Sequence, residues 1–122
     1  MTAPLFPDAA PVRIQLSSRA GWRMPLACRR VDRATLFGNP FRVEDFGRHR
    51  AVTLHHAWLK GALTYNQMRR LGLARLQVAA LDERRTAVLA RLHELAGRTL
   101  ACWCDPGQAC HADTLRQMAD RE

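Results

Sequence analysis

The order of apolar and polar positions predicts short strands in the first third of the chain. Val12 to Leu16 alternates apolar and polar side chains, as a strand with one buried face does. Ser17 to Pro25 is rich in polar and basic groups and predicts a loop. Ala27 to Val31 predicts a second strand, although two arginines interrupt its apolar pattern. Met1 to Pro11 has three prolines and no periodicity, which predicts a loose tail.

The centre of the chain has helical periodicity. Arg48 to Leu63 predicts a helix packed on a sheet. Its shared apolar stripe consists of Ala51, Leu54, His55, Trp58 and Leu59. A turn follows near Leu71 and Gly72, and Leu73 to Leu95 then predicts a long amphipathic helix that breaks near Asp82. The side chains expected to face inward from this segment are Leu76, Ala80, Val88, Leu92 and Leu95.

The last quarter of the chain predicts a strand, a tight turn and a helix. Arg98 to Cys104 is a short apolar run that follows Gly97, a residue suited to a helix C-terminus. Residues 105–107 read Asp-Pro-Gly, a strong turn signal, and a helix begins near Cys110. We therefore predict one α/β domain over residues 12–122, with three or four strands covered by three or four helices.

The charge of the chain indicates anionic partners. Lysine and arginine number 19 against 11 acidic residues, which gives a net charge of +8 at pH 7. Such a charge attracts nucleotides, nucleic acid or phosphorylated metabolites. Arginines that flank the predicted loops could hold phosphate or carboxylate groups, namely Arg13, Arg19, Arg23, Arg33 and Arg42. Because no recognised nucleic-acid-binding motif accompanies them, charge alone leaves nucleic-acid binding as an open alternative.

The location of the protein can be predicted only in outline. No apolar stretch is long enough to cross a bilayer, and residues 1–10 lack the pattern of a secretory signal. We therefore expect a cytoplasmic protein without a membrane partner. In that compartment, the 4 cysteines are expected to be thiols or metal ligands, since disulfides are rare there.

Four residues near the C-terminus make up a dense chemical cluster, namely Cys102, Cys104, Cys110 and His111. They supply four ligands of the kind that zinc prefers, although neighbouring Cys110 and His111 are expected to diverge in direction. Alternatively, a cysteine at a helix N-terminus has a lowered pKa and could act as a nucleophile with His111 as its acid or base. A third interpretation is that the helix N-terminus binds an anion while the cysteines shape the pocket.

Three segments of the chain together resemble a known family. These segments are residues 13–25, 31–41 and 100–115, and their order and spacing are similar to the bacterial and phage family called domain of unknown function 4326. The resemblance extends from Val12 to Ala119. Its motif residues fall on Gly21, Trp22, Arg23, Pro25, Val31, Arg33, Gly38, Asn39, Pro40, Phe41, Cys102, Trp103, Cys104, Cys110 and His111. Ala34 stands where family members often have proline.

The resemblance implies an α/β fold and a site, but it implies no activity. The phage members suggest nucleotide or nucleic-acid metabolism by analogy. A shorter likeness joins the Cys–His segment at the C-terminus to a second uncharacterised family, numbered 488.

These observations lead to a hypothesis about the site. We expect a pocket between the Trp22–Arg23 loop, the Gly38–Phe41 loop and the Cys104–His111 turn, which binds a nucleotide-like or other anionic small molecule. Trp22 could stack on the ligand, Arg23 and Arg33 would hold the anion, and Asn39 would orient it.

Two functions follow from this hypothesis. In the first, Cys104, Cys110 or His111 carries out the chemistry, which would make the protein a hydrolase or transferase that acts on a nucleotide-like substrate. The alternative is a non-catalytic nucleic-acid-binding or adaptor module. Its C-terminus would be held together by zinc on Cys102, Cys104, Cys110 and His111.

Overall fold

The computed structural model describes residues 13–121, except for the side chain of Arg121. The predicted tail, Met1 to Pro11, lies outside these residues, as does Val12. Three parallel strands form the sheet: β1 (Arg13–Gln15), β2 (Cys28–Arg30) and β3 (Thr99–Cys102). Their order is β1-β3-β2, so β3 lies in the middle. The predicted α/β class is confirmed.

Within the described part of the chain, five helices accompany the sheet. They are α1 (Val43–Phe46), α2 (Arg48–Leu59), α3 (Tyr65–Arg70), α4 (Arg75–Arg91) and α5 (His111–Arg121), with a 3₁₀ turn at Leu92–Leu95 after α4. Two of them, α1 and α3, have only 4 and 6 residues. Helices this short are too brief to show periodicity, which explains why the sequence predicted fewer.

The strands are shorter than their apolar patterns, but the ladder continues past their ends. The backbone N–H of Leu16 donates to the carbonyl of Cys102 at 2.7 Å, and that of Val31 donates to Ala101 at 2.9 Å. Because all three strands are parallel, their carboxyl ends lie at one edge of the sheet. The chain segments that leave this edge begin at Leu16, Val31 and Trp103.

The core lies on both sides of the central strand. Leu100 and Ala101 are 0% exposed, as expected for a strand of a parallel sheet that is covered on both faces. Helix α5 packs against β3 and the 3₁₀ turn, and α2 packs against α5. The largest fully buried side chains include Phe37, Leu59, Leu92, Leu95, Leu100 and Leu115.

The two long helices differ from their predicted bounds. Helix α2 ends at Leu59 rather than Leu63, because the chain turns at Gly61 with a φ of +79°. Helix α4 runs unbroken through Asp82, so the predicted break there is wrong. The chain changes to a 3₁₀ turn after Arg91 instead, which brings Leu92 into the core.

The inward face of α4 was only partly predicted. Val88 is buried as expected, together with Leu92 and Leu95 of the 3₁₀ turn. Leu76 is 84% exposed, and Ala80 is also exposed, so both predictions are wrong. Val78 takes the buried position near the start of α4. Residues two apart in a helix point in roughly opposite directions, so burial of Val78 turns Leu76 and Ala80 outward.

Candidate functional site

A pocket of about 660 Å³ opens where β2 and β3 end. Its wall combines the segments that follow these strands with the Asn39–Phe41 turn and the first half of α2. It is lined by Arg30, Asp32, Arg33, Ala34, Asn39, Phe41, Val43, Arg48, Val52, Cys102, Trp103, Cys104, Cys110 and His111. The carboxyl edge of a parallel sheet is where α/β proteins commonly bind ligands.

Three cysteine sulfurs meet in the wall of this pocket. The Sγ atoms of Cys102, Cys104 and Cys110 all lie within 4.8 Å of one another. Cys102 ends β3, Cys104 follows it by two residues, and Cys110 directly precedes α5. Cys102 and Cys110 are each 1% exposed, and their sulfurs are 3.1 Å apart. Cys104 is half-buried, so it is the most accessible sulfur of the three.

The bend between β3 and α5 is held by hydrogen bonds. Asp105 Oδ1 accepts from the backbone N–H of Gly107 at 3.0 Å, and its carbonyl accepts from that of Gln108 at 2.9 Å. The Arg13 guanidinium donates to the carbonyls of Pro106 at 2.9 Å and Gln108 at 2.7 Å. These bonds position Cys104 and Cys110 on the same side of the bend.

The predicted anion-binding role of Arg13 does not fit this arrangement. Its side chain is only 10% exposed, and its Nε atom pairs with Asp113 Oδ1 at 3.4 Å. Asp113 lies in the first turn of α5, so Arg13 joins β1 both to the bend and to the following helix. All of these contacts of the guanidinium lie within the fold, and they stabilise the bend that carries the cysteines.

His111 is buried against the sheet in a defined orientation. Its Nε2 lies 2.6 Å from the carbonyl oxygen of Val31, and because a carbonyl can only accept, Nε2 carries the hydrogen. Burial lowers the pKa of His111, which favours the neutral ring. The Nδ1 atom therefore has a free lone pair, and it lies 3.6 Å from Cys110 Sγ.

The thiols have different tendencies to ionise. Hydrogen bonds from Cys102, Cys110 and Arg48 lower the pKa of Cys104, against an opposing effect of burial. The Arg48 Nη1 atom is 3.4 Å from Cys104 Sγ. The hydrogen bond to Cys104 raises the pKa of Cys102, and the bonds to Cys102 and Cys104 together with burial raise that of Cys110. Cys104 is therefore the thiol of the cluster that ionises most readily.

Acidic side chains partner two of the other pocket arginines. Arg30 donates to both carboxylate oxygens of Asp32, at 3.1 and 2.6 Å, and Trp103 Nε1 donates to the same group at 3.0 Å. Burial raises the pKa of Asp32, but these hydrogen bonds outweigh it and the pKa is lowered. Arg33 pairs with Glu44 at 3.3 Å in an exposed position.

Asn39 lines the pocket, but its amide bonds to the backbone. Its Nδ2 donates to the carbonyl of Ala51 at 3.0 Å, and its Oδ1 accepts from the N–H of Phe41 at 2.9 Å. These bonds attach the turn to α2. The contacts of Asn39 thus fix the shape of the pocket, and orientation of a ligand by its amide stays a prediction.

The structure brings most of the predicted site residues together. The residues that share the pocket are Cys102, Cys104, Cys110, His111, Arg33 and Asn39. Trp22 and Arg23 do not line it, so the loop predicted to carry these two residues into the pocket is not part of its wall. Sequence reasoning missed Arg48 and the Arg30–Asp32 pair. The signal for Arg48 was its place at the start of a predicted helix, beside the glycine at position 47.

The fold and the pocket define a small α/β protein with a cysteine- and histidine-lined site at the carboxyl edge of its sheet. The family model described as domain of unknown function (DUF4326) matches residues 14–121, so the chain belongs to this family. The resemblance to family 4326 is thereby confirmed, whereas the likeness to family 488 is not. No curated protein and no solved structure matches the chain.

Across residues 13–121, none of the helices has the length and apolar character needed to span a membrane.

Proposed function

We propose that this protein binds an anionic, nucleotide-like small molecule in the pocket at the ends of β2 and β3. A volume of about 660 Å³ is within the range of small-molecule sites, which span roughly 300–1,000 Å³. The apolar wall from Phe41, Val43 and Val52 suits a base or another flat group. The net charge of +8 would attract an anion toward the protein.

The state of Arg48 is the observation that carries this proposal. Arg30 is neutralised by Asp32 and Arg33 is paired with Glu44. Among residues 13–121, no carboxylate pairs with Arg48, whose guanidinium contacts the sulfur of Cys104. A half-buried guanidinium with free N–H donors is a suitable partner for phosphate or carboxylate.

Hydrolysis of this ligand, or group transfer from it, is the reaction that we associate with the site. Cys104, Cys110 and His111 would be the reacting groups, since they line the same pocket as Arg48. A cytoplasmic location stays a prediction.

Binding can be tested by calorimetry with ligands matched in shape but not in charge. We expect nucleoside monophosphates and triphosphates to bind, and the corresponding neutral nucleosides to bind far more weakly. The change Arg48→Gln should weaken binding about 10- to 100-fold, because a hydrogen bond to a charged group contributes roughly 1.5–3 kcal/mol. Arg70→Gln removes the same charge from an exposed position at the end of α3 and should leave binding nearly unchanged.

Two results would contradict the proposal. One is that phosphorylated and neutral ligands bind equally, or not at all. The other is that Arg70→Gln weakens binding as much as Arg48→Gln, which would show that the total charge rather than the pocket attracts the ligand.

The nucleic-acid-binding alternative is supported by the charge of +8 alone. Its signature would be an affinity for DNA or RNA that falls steeply as salt increases, because bound counterions are released from the phosphates. In that case we expect Arg48→Gln and Arg70→Gln to weaken binding by similar factors.

A further inference from the structure

We infer that Cys102, Cys104 and Cys110 hold a zinc ion whose fourth coordination position faces the pocket. This inference deepens the proposed binding function and rests on it in one respect: the open position would be filled by the anionic ligand or by water. Cys104 and Cys110 would then hold the ion instead of reacting with the ligand themselves. It differs from the zinc-held C-terminus considered from the sequence, which would use His111 as a fourth ligand and leave no position open.

The separation of the sulfurs fits a single tetrahedral ion. Zinc–sulfur bonds of about 2.3 Å place two thiolate ligands roughly 3.8 Å apart. All three Sγ atoms lie within 4.8 Å of one another, and the Cys102–Cys110 pair is at 3.1 Å. This pair would therefore separate by about 0.7 Å on binding, a distance that small χ1 rotations supply. Three sulfur ligands also favour zinc over the harder magnesium or calcium ions.

A positive charge beside the cluster would stabilise the sulfurs once the ion has displaced their protons. Three thiolates with one Zn²⁺ ion have a net charge of −1. Arg48 contacts Cys104 from the α2 side of the pocket. The Arg13 guanidinium lies beside Cys102 and Cys110, where β1 meets the bend. Arg13 is paired with Asp113, so Arg48 supplies the unpaired positive charge that offsets the negative charge of the site.

We assign His111 to positioning rather than to the ion. Its nitrogens do not join the group of three sulfurs that lie within 4.8 Å of one another. Its Nε2 is held by Val31 and its Nδ1 is 3.6 Å from Cys110 Sγ, so the ring packs beside that sulfur and limits where it can move. Three protein ligands with an open position are the arrangement of catalytic zinc sites, whereas structural sites have four.

The zinc content of purified protein tests the inference without any anionic ligand. We expect one zinc per chain in reduced protein by elemental analysis. Cys104→Ser should lower zinc affinity at least tenfold, and because Cys104 is half-buried this change should spare the fold, which circular dichroism would check. Cys28→Ser is the matched control, since Cys28 lies at the start of β2 outside the sulfur cluster.

Cobalt in place of zinc tests the open position. Co²⁺ bound to thiolates gives charge-transfer bands in the near ultraviolet and visible bands that respond to the coordination sphere. We expect azide, a small anion, to shift the visible bands of the wild-type complex. His111→Ala should still bind one Co²⁺ per chain.

Three outcomes would overturn the inference. The sulfur site is excluded if reduced wild-type protein takes up no zinc on titration. It is also excluded if Cys104→Ser binds zinc with unchanged affinity. Loss of two hydrogens by mass, with no metal, would show that the cysteines form a disulfide instead. A closed four-ligand site would be shown by visible cobalt bands that azide does not shift and that are absent in His111→Ala. Zinc binding without nucleotide binding would reject the proposed function alone, and nucleotide binding by protein that takes up no zinc would reject this inference alone.

Discussion

Gly38 shows how one residue shapes the pocket. A Cβ atom at this position would lie 2.5 Å from Arg33 Cα and 2.8 Å from the carbonyl oxygen of Asp32. Both are backbone atoms of the segment that lines the pocket, so they cannot move aside as a flexible side chain would. We therefore expect Gly38→Ala to lower the free energy of unfolding by about 1–3 kcal/mol, the usual range for overpacking. Urea unfolding would measure the loss.

A control for this substitution exists in the same protein. At Gly107 the nearest neighbour of an added Cβ would be Asp105 Oδ1 at 3.6 Å, an ordinary contact. Gly107→Ala should change the free energy of unfolding by less than about 0.5 kcal/mol, as surface substitutions usually do. Equal stability of Gly38→Ala and Gly107→Ala would contradict the steric argument.

At this scale, residue type predicted the site better than it predicted residue roles. The density of cysteine and histidine between positions 102 and 111 correctly indicated residues that meet in space. It could not reveal that the Asn39 amide hydrogen-bonds to backbone groups or that Arg48 contacts Cys104. Such contacts depend on how α2 docks against the sheet, and local patterns contain no information about docking.

At the scale of elements, Arg13 joins β1 to the bend that holds the cysteines. We expect Arg13→Met to lower the free energy of unfolding by about 2 kcal/mol, since hydrogen bonds from charged groups contribute roughly 1.5–3 kcal/mol. Amide hydrogen exchange of Gly107 and Gln108 should also accelerate. Arg13→Lys keeps the charge, but its single nitrogen cannot reach the carbonyls of the bend and Asp113 together as the guanidinium does, so we expect an intermediate loss. Unchanged amide hydrogen exchange in Arg13→Met would show that the bend's own hydrogen bonds are sufficient to stabilise it.

Glu94 joins β2 to the 3₁₀ turn after α4. Arg91 donates to it at 2.8 and 3.1 Å, and Arg29 of β2 donates at 2.7 Å. The hydrogen bonds from Arg91, helped by the charge of Arg29, lower the pKa of Glu94 from 4.5 to about 2. Because the folded-state pKa is depressed, this carboxylate stabilises the fold above pH 4.5, and the effect is lost as the pH falls toward 2.

Unfolding by urea at several pH values tests this link between elements. Wild type should be more stable than Glu94→Gln at pH 7, and the difference should shrink between about pH 5 and pH 2. Glu83→Gln removes a carboxylate from an exposed position of α4 and serves as the control. A difference that stays constant across this range would show that Glu94 titrates as an unpaired carboxylate.

Elements were predictable where an apolar run is bounded by clear turn or capping signals. The glycine at position 97 and the apolar run after it correctly predicted β3, the strand that organises the sheet. The order β1-β3-β2 could not be predicted, because pairing depends on contacts about 70 to 90 residues apart along the chain. The break expected near Asp82 is absent, because α4 is exposed on that side and tolerates a polar residue.

For the whole molecule, the position of the cysteines relative to the core separates the two kinds of zinc site. Cys102 and Cys110 belong to the core cluster, but most of that cluster is built from side chains of α2, α4, α5 and the 3₁₀ turn. A chain of 122 residues can bury enough apolar surface to fold without a metal. The fold should therefore survive loss of the ion, although with lower stability.

Chelation of zinc from purified protein makes this expectation measurable. We expect the helical circular dichroism signal to persist at 25 °C in reduced, metal-free protein, while the Tm falls. Saturating zinc should restore about 3 kcal/mol when its free concentration is a hundred times the Kd, since only the folded state provides three converging sulfurs. A zinc-held module behaves otherwise, because its folding free energy comes largely from the metal and it unfolds when the metal is removed. Loss of the helical signal on chelation would thus favour that alternative over a pocket built on an independently folded α/β domain.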